Sequence, residues 1–169
     1  MKYFLLFSLL YLTACGNTIY IVRHAEKEAV PAGATQMMAG DPPLSTAGKL
    51  RANKLGEQLR NEQIRYIFST NTTRTLTTAQ PLKEMSGNSH IELYSSKKDS
   101  MDQFIALLKS IKKGNVLVVG HSNTIDDIAN KLCNKTVVTG DLDEKEYSNL
   151  FVIKRKGTKY IFSRKQYGE

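Results

Sequence analysis

The sequence predicts an α/β fold, a three-layer sandwich with a mostly parallel central sheet and a C-terminal antiparallel hairpin. Three observations carry this. Two short β-branched runs, Thr18–Val22 and Asn115–Val119, read as strands buried on both faces. Strand-like runs alternate with amphipathic helical stripes along most of the chain, the order of a parallel sheet with covering helices. The tail breaks that order: Leu150–Lys154 and Lys159–Ser163 alternate in polarity around Lys156-Gly157-Thr158, which is the pattern of a hairpin.

The elements follow in turn. A first strand starts at about Thr18. Glu28 to Pro43 is rich in Ala, Gly and Pro and reads as a loop at the sheet edge, with Asp41-Pro42-Pro43-Leu44 extended. Ser45 or Thr46 caps a helix whose apolar stripe is Gly48, Ala52, Leu55 and Leu59. Ile64 to Phe68 is the second strand. Thr72 to Met85 reads as a helix against its own composition, because it holds five threonines and Pro81. Such a local conflict often marks function. Ile91 to Tyr94 is a weak third strand. Met101, Phe104, Ile105 and Leu108 mark the next helix. Val116–Val119 is the most apolar run and the expected centre of the sheet. Ile125, Ile128, Ala129 and Leu132 mark a helix directly after it.

The 169 residues fit one domain with one core. The formal charge of +8 comes from basic side chains spread along the chain, densest at Lys97-Lys98, Lys112-Lys113 and Lys154-Arg155-Lys156. None of these groups is interleaved with aromatics as a base-stacking platform would be, so no nucleic-acid partner is expected. A solvated basic surface is the plainer reading.

Met1-Lys2 is a short charged start, followed by the apolar Tyr3–Leu12, too short for a membrane span of about 20 residues. Together they read as a secretory signal covering 1–14, with a single domain over 15–169. Leu12-Thr13-Ala14-Cys15 is similar to the lipobox of bacterial lipoproteins. That resemblance implies a lipid on Cys15, an exported chain in the bacterial cell envelope, and membrane anchoring through the lipid, with the domain facing the periplasm. Cys133 would then be the one other cysteine, expected in buried core.

Two apolar strands end in Arg23-His24-Ala25-Glu26 and Gly120-His121-Ser122-Asn123. Ligands of open parallel sheets bind beyond the carboxyl ends of the strands. Arg23 and His24 can face one pocket if the chain turns there, since side chains alternate along a strand. Gly120 permits close backbone approach, and His121 stands where a helix should begin, a place that favours anions. Arg74 comes from the start of the threonine-rich helix. Two guanidiniums and two imidazoles make an anion pocket: arginine binds phosphoryl oxygens in pairs, and histidine near neutrality can attack phosphorus.

Arg23-His24-Ala25-Glu26, Arg74 within Ser69-Thr70-Asn71-Thr72-Thr73-Arg74-Thr75, and Gly120-His121-Ser122, in that order, resemble the motifs of the histidine phosphatase superfamily, the phosphoglycerate-mutase-like fold. The resemblance runs from Thr18 to about Phe151. It implies a phosphatase in which His24 is phosphorylated and Arg23, Arg74 and His121 bind the phosphoryl group of a small phosphorylated substrate. It implies no metal and no organic cofactor. Family members often supply a carboxyl for the leaving group; Glu84, Glu92, Asp99 and Asp102 lie between the second arginine and the second histidine, and Asp99 is the expected donor, with Glu26, Ser122 and Asn123 as further substrate contacts. Two alternatives stay open: a lipid-anchored phosphate-binding protein with little turnover, and a phosphatase acting on phosphohistidine in proteins. His90, in a polar turn, and Asp126-Asp127, in a helix first turn, are explained without function.

Overall fold

The computed structural model describes residues 16–168 apart from 34, 37–39 and 88–89. The expected signal segment and Cys15 lie outside the described residues. The elements are β1 (Thr18–Arg23), α1 (Thr46–Leu59), β2 (Ile64–Ser69), α2 (Thr73–Ser86), β3 (Glu92–Leu93), α3 (Lys98–Ser110), β4 (Asn115–Gly120), α4 (Ile125–Cys133), β5 (Asn149–Lys156) and β6 (Lys159–Gln166). They build one six-stranded sheet in the order β3-β2-β4-β1-β5-β6. The first four strands in sequence run parallel; β5 is antiparallel to β1 and β6 to β5. β4 and β1 are the two central strands, as the most apolar runs require.

Alternation along β1 explains the layers. Ile19 and Ile21 face a core filled by Phe104 and Leu108 of α3 and Ile125, Ile128 and Leu132 of α4. Tyr20 and Val22 face the opposite core, with Leu55 and Leu59 of α1 and Ala79 and Leu82 of α2. Both faces of β1 are dry, so its sequence shows no polar alternation. β6 is different. It is an edge strand covered on one face only, and Ile161 stands 47% exposed.

Ser45 caps α1, its hydroxyl accepting from the Gly48 amide at 3.1 Å. Gly48 is buried against the Glu26 backbone, and a β-carbon there would collide with the Glu26 carbonyl. The segment expected as a plain loop closes on itself: Lys27 bridges to Leu44 and the Glu28 amide donates to the Pro43 carbonyl at 2.9 Å. It also contains helical residues, Gln36 and Gly40. β3 is shorter than the expected Ile91–Tyr94 run. Cys133 is a free thiol, half-buried rather than fully buried, against the α3–α4 core.

Candidate active site

Register decides what meets at the carboxyl end of the sheet. Arg23 of β1 lies opposite Gly120 of β4, and Ser69 of β2 lies opposite Val119. The next residues along these three adjacent strands are His24, His121 and Thr70, so they arrive side by side. β1 ends at Arg23, and the His24 amide still donates to the Gly120 carbonyl at 2.9 Å. The chain then turns, and Arg23 and His24 both line one cleft of about 570 Å³, with Lys27, Arg74, His121 and Asn123. The turn required by the adjacent Arg-His pair is therefore present.

His24 is 4% exposed. Its Nδ1 lies 2.8 Å from the Ala25 carbonyl, which can only accept, so Nδ1 carries the proton and Nε2 keeps a lone pair. Burial drives its pKa down to about 3; the bond to Ala25 opposes this, and the charges of Arg23 and Arg74 and the His121 ring add to it. The imidazole is neutral throughout the physiological range. The Ala25 amide is held in turn by Thr78 Oγ1 at 2.9 Å.

His121 is fixed through its other nitrogen. Its Nε2 is 2.9 Å from Thr70 Oγ1, and its ring centroid is 5.5 Å from that of His24, edge to face. Burial, then Arg74 and Arg23, lower its pKa to about 4, against an upward pull from Asp41. Thr70 belongs to a threonine relay: Thr70 Oγ1 meets Thr75 Oγ1 at 3.0 Å, and Thr75 meets Thr72 at 2.8 Å. The conflict in α2 resolves here. Thr75 and Thr78 are fully buried and hydrogen-bonded, so tertiary bonds override the low helix propensity of these threonines.

Two guanidiniums flank the histidines. Arg23 is 2% exposed; it donates to the Asp143 carbonyl at 2.8 Å and Glu144 Oε2 at 3.2 Å, and stacks on Tyr147 with 4.3 Å to the ring centroid. Arg74, the second residue of α2, donates to Asp41 Oδ1 at 3.0 Å. Asp41 also accepts the Thr73 amide at 2.7 Å, capping α2 from another segment. Burial raises the Asp41 carboxyl, but the Thr73 hydrogen bonds and the Arg74 charge outweigh it and hold it below the usual range. The Nε–H groups of Arg23 and Arg74 are buried and have no acceptor among the described residues.

Other expected residues fall differently. Ser122 and Asn123 line the cleft. Glu26 does not. Its carboxylate takes Arg51 Nε at 2.8 and 3.0 Å, and Arg51 Nη1 reaches the Tyr167 carbonyl, so Glu26 ties the turn to α1 and the C-terminal segment. Asp99 is exposed in the first turn of α3 and outside the cleft lining, a position the helix dipole accounts for. The space at Gly120 serves protein rather than ligand: a β-carbon would meet Tyr94 Oη at 2.7 Å and Ile125 Cγ2 at 2.9 Å. His121 precedes α4 by a turn, bonded through its amide to Thr124 Oγ1 at 3.1 Å. His90 stays exposed, 3.7 Å from Glu92. Asp126 is 6% exposed, more buried than a dipole-favoured surface carboxylate would be. Sequence reasoning missed Thr70, Asp41, Glu144 and Tyr147, since they reach the site only through tertiary packing. The Asp41-Pro42-Pro43 punctuation was the one local signal among them.

A sequence profile described as "Histidine phosphatase superfamily (branch 1)" matches residues 19–95, which hold Arg23, His24 and Arg74. Phosphoserine phosphatase 1 of Hydrogenobacter thermophilus is 39% identical over 66 residues, 39% of this chain and 31% of that protein. The match thus spans about a third of the curated relative. Among solved structures, the mycobacterial glucosyl-3-phosphoglycerate phosphatase Rv2419c is similar with a TM-score of 0.66 at 13% identity, covering 90% of this chain and 99% of that one. A phosphoserine phosphatase mutant of Entamoeba histolytica, solved with phosphoserine, gives 0.63 at 14% identity over 90% and 97%. At such identities these structures establish the fold alone. The profile covers the first arginine–histidine pair and the second arginine, and the shared fold extends over His121; residues 19–95 are similar to the histidine phosphatase superfamily, and the chain shares the fold of solved phosphatases.

Proposed function

We propose that the chain is a phosphoric monoester hydrolase that forms a phosphohistidine on His24. One observation carries this reading: a neutral imidazole, its Nδ1 proton committed to the Ala25 carbonyl, stands between two guanidiniums whose buried Nε–H groups have no acceptor among the described residues. A phosphoryl group would supply those acceptors. His24 Nε2 attacks phosphorus, the N–P bond forms, and the P–O bond to the leaving group breaks. The leaving oxygen takes up a proton, for which Asp141 and Glu144 are the carboxyls in the cleft lining. Water then attacks phosphorus, the N–P bond breaks, and phosphate leaves. Arg23, Arg74 and His121 hold the oxygens through both steps by fixed hydrogen-bond donors. The substrate is a small phosphorylated molecule, and the relatives named as phosphatases support this class.

Brief incubation with an aryl phosphate followed by rapid quenching tests the reading. Acid-labile, base-stable phosphate on the wild type and none on His24→Ala is the expected result. Phosphate binding without turnover of any ester in a broad panel would overturn it. We further infer that the chain is exported and carries lipid on Cys15; the reading rests on Leu12-Thr13-Ala14-Cys15 after an apolar run. Labelled palmitate should follow the wild type and not Cys15→Ser.

A further inference from the structure

The two ends of the sheet differ in charge. The site end carries Asp141, Asp143, Glu144 and Glu146 in one loop, beside the cations of the cleft. The opposite end is where β1 and β4 start and where β5 turns into β6. Lys112 and Lys113 precede β4, Lys154 lies opposite Thr18, and Lys156 and Lys159 flank the hairpin turn. All five are exposed. Lys135 follows α4, which runs from the site towards this end, and it shares a cleft of about 600 Å³ with Lys159 and the exposed Ile161. The nearby carboxylates are engaged: Glu62 accepts the Tyr20 hydroxyl, and Asp102 pairs with Lys131.

The chain enters the fold among these lysines. Asn17 accepts the Arg155 amide at 3.0 Å, and Asn17 is 3% exposed, so the entry point is tied to the basic end and not free to swing to the other. Only Gly16 separates it from Cys15. From this geometry we propose that the lysine end around Asn17 docks on an anionic lipid surface, with the phosphoryl cleft turned away from it. The proposal rests on the anchoring reading for the presence of the chain at a membrane. Clustered lysines close to a bilayer are attracted to anionic headgroups within about a Debye length, roughly 8 Å at physiological salt. An apolar side chain set among them, here Ile161, suits the boundary between headgroup and acyl chain. The carboxylates of the rim would be repelled, which favours one orientation over its reverse.

Full-length protein on vesicles tests this, with phosphatidylcholine alone compared with phosphatidylcholine containing phosphatidylglycerol. Amine-reactive labelling, read residue by residue by mass spectrometry, should slow at least fivefold at Lys112, Lys113, Lys156 and Lys159 on anionic vesicles relative to neutral ones. Lys27 and Lys145 at the site end should not change. Replacing those four lysines by glutamine should abolish the protection that anionic vesicles give the remaining Lys135 and Lys154 of that end, and leave aryl phosphate turnover unaltered. Flotation with both vesicle types but without the labelling difference overturns the docking proposal and leaves anchoring intact. Flotation with anionic vesicles alone, with protection, upholds docking and removes the anchor. Flotation with neither overturns both. Protection by duplex DNA and not by anionic vesicles would assign the lysines to nucleic acid and overturn docking.

Discussion

The end of β1 and the end of β4 each present a neutral histidine, His24 buried and His121 half-buried, yet the two are held by opposite nitrogens. His24 gives Nδ1 to a carbonyl and leaves Nε2 with a free lone pair. His121 commits Nε2 to the Thr70 hydroxyl. The carbonyl can only accept, so the His24 tautomer is unambiguous; the Thr70 hydroxyl can donate to His121 Nε2, which leaves His121 Nδ1–H as the donor. The difference fits the roles proposed for the two rings: a nucleophile needs a lone pair at the attacking nitrogen, and a phosphoryl contact needs a proton at the nitrogen that faces the oxygens.

The sharpest way to break this comparison is to remove each ring. His24→Asn should lower turnover of an aryl phosphate on the order of 10⁴-fold or more, the scale of losing a covalent nucleophile. His121→Asn should cost on the order of 10²–10³-fold, the scale of one preorganised donor, and should still accumulate phosphoenzyme. If His121→Asn instead abolished the phosphoenzyme while His24→Asn retained it, the roles would be reversed. Thr70→Val comes next. It keeps the shape of a buried site but takes from His121 Nε2 its hydroxyl partner, while Thr75 Oγ1 keeps Thr72 and the Thr70 carbonyl. An unsatisfied buried group costs roughly 1–3 kcal/mol, so kcat/KM should fall by about tenfold or somewhat more. A Thr70→Ser variant should recover most of it.

The parts legible in the sequence were those written in local pattern. β1 and β4 were readable as short unbroken apolar runs, β5 and β6 by alternation, and α1, α3 and α4 by their 3.6-period stripes, and Arg23, His24, Arg74 and His121 were readable because they sit at element ends. The adjacency of β1 and β4 was not. Neither apolar run states its neighbour, yet the Arg23–Gly120 pairing is what sets the histidines together. Side chains that act across the fold were invisible for the same reason. Asp41 caps a helix that starts 32 residues later, and Glu144 reaches Arg23 across 121 residues. The threonines of α2 gave a signal, a poor helix in a place that had to be one, but not its meaning: Thr75 and Thr78 bond to the turns that carry the site.

A pH series sharpens the comparison with a smaller effect. Both histidines have folded pKa values below the ordinary 6.5, His24 at about 3 and His121 at about 4. Between these values and 6.5 the unfolded chain binds protons that the folded chain refuses. Stability is therefore full above about pH 6.5 and falls as pH drops towards 4, with a limiting slope of about 1.4 kcal/mol per pH unit for the buried His24. Urea midpoints measured from pH 7 to pH 4.5 should decline, and His24→Asn should flatten the decline. An unchanged slope in that variant would mean the imidazole is charged in the fold.

The smallest expected effect concerns Asp99, which the sequence singled out as a proton donor. It lies in the first turn of α3, exposed, where a carboxylate meets unpaired backbone N–H groups and the positive end of the helix dipole. Its neighbours along the chain lead to β3 at the sheet edge, with β2 and β4 between it and the strand that carries His24. Asp99→Asn should therefore change kcat with alkyl and aryl phosphates alike by less than about twofold, and cost stability on the order of 0.3–1 kcal/mol through the lost dipole interaction. The alkyl substrates make the test decisive, because a poor leaving group depends most on a proton donor. A selective loss with alkyl phosphates would return Asp99 to the mechanism. A uniform, near-unit ratio leaves the leaving group to Asp141 and Glu144, the carboxyls that the cleft itself contains.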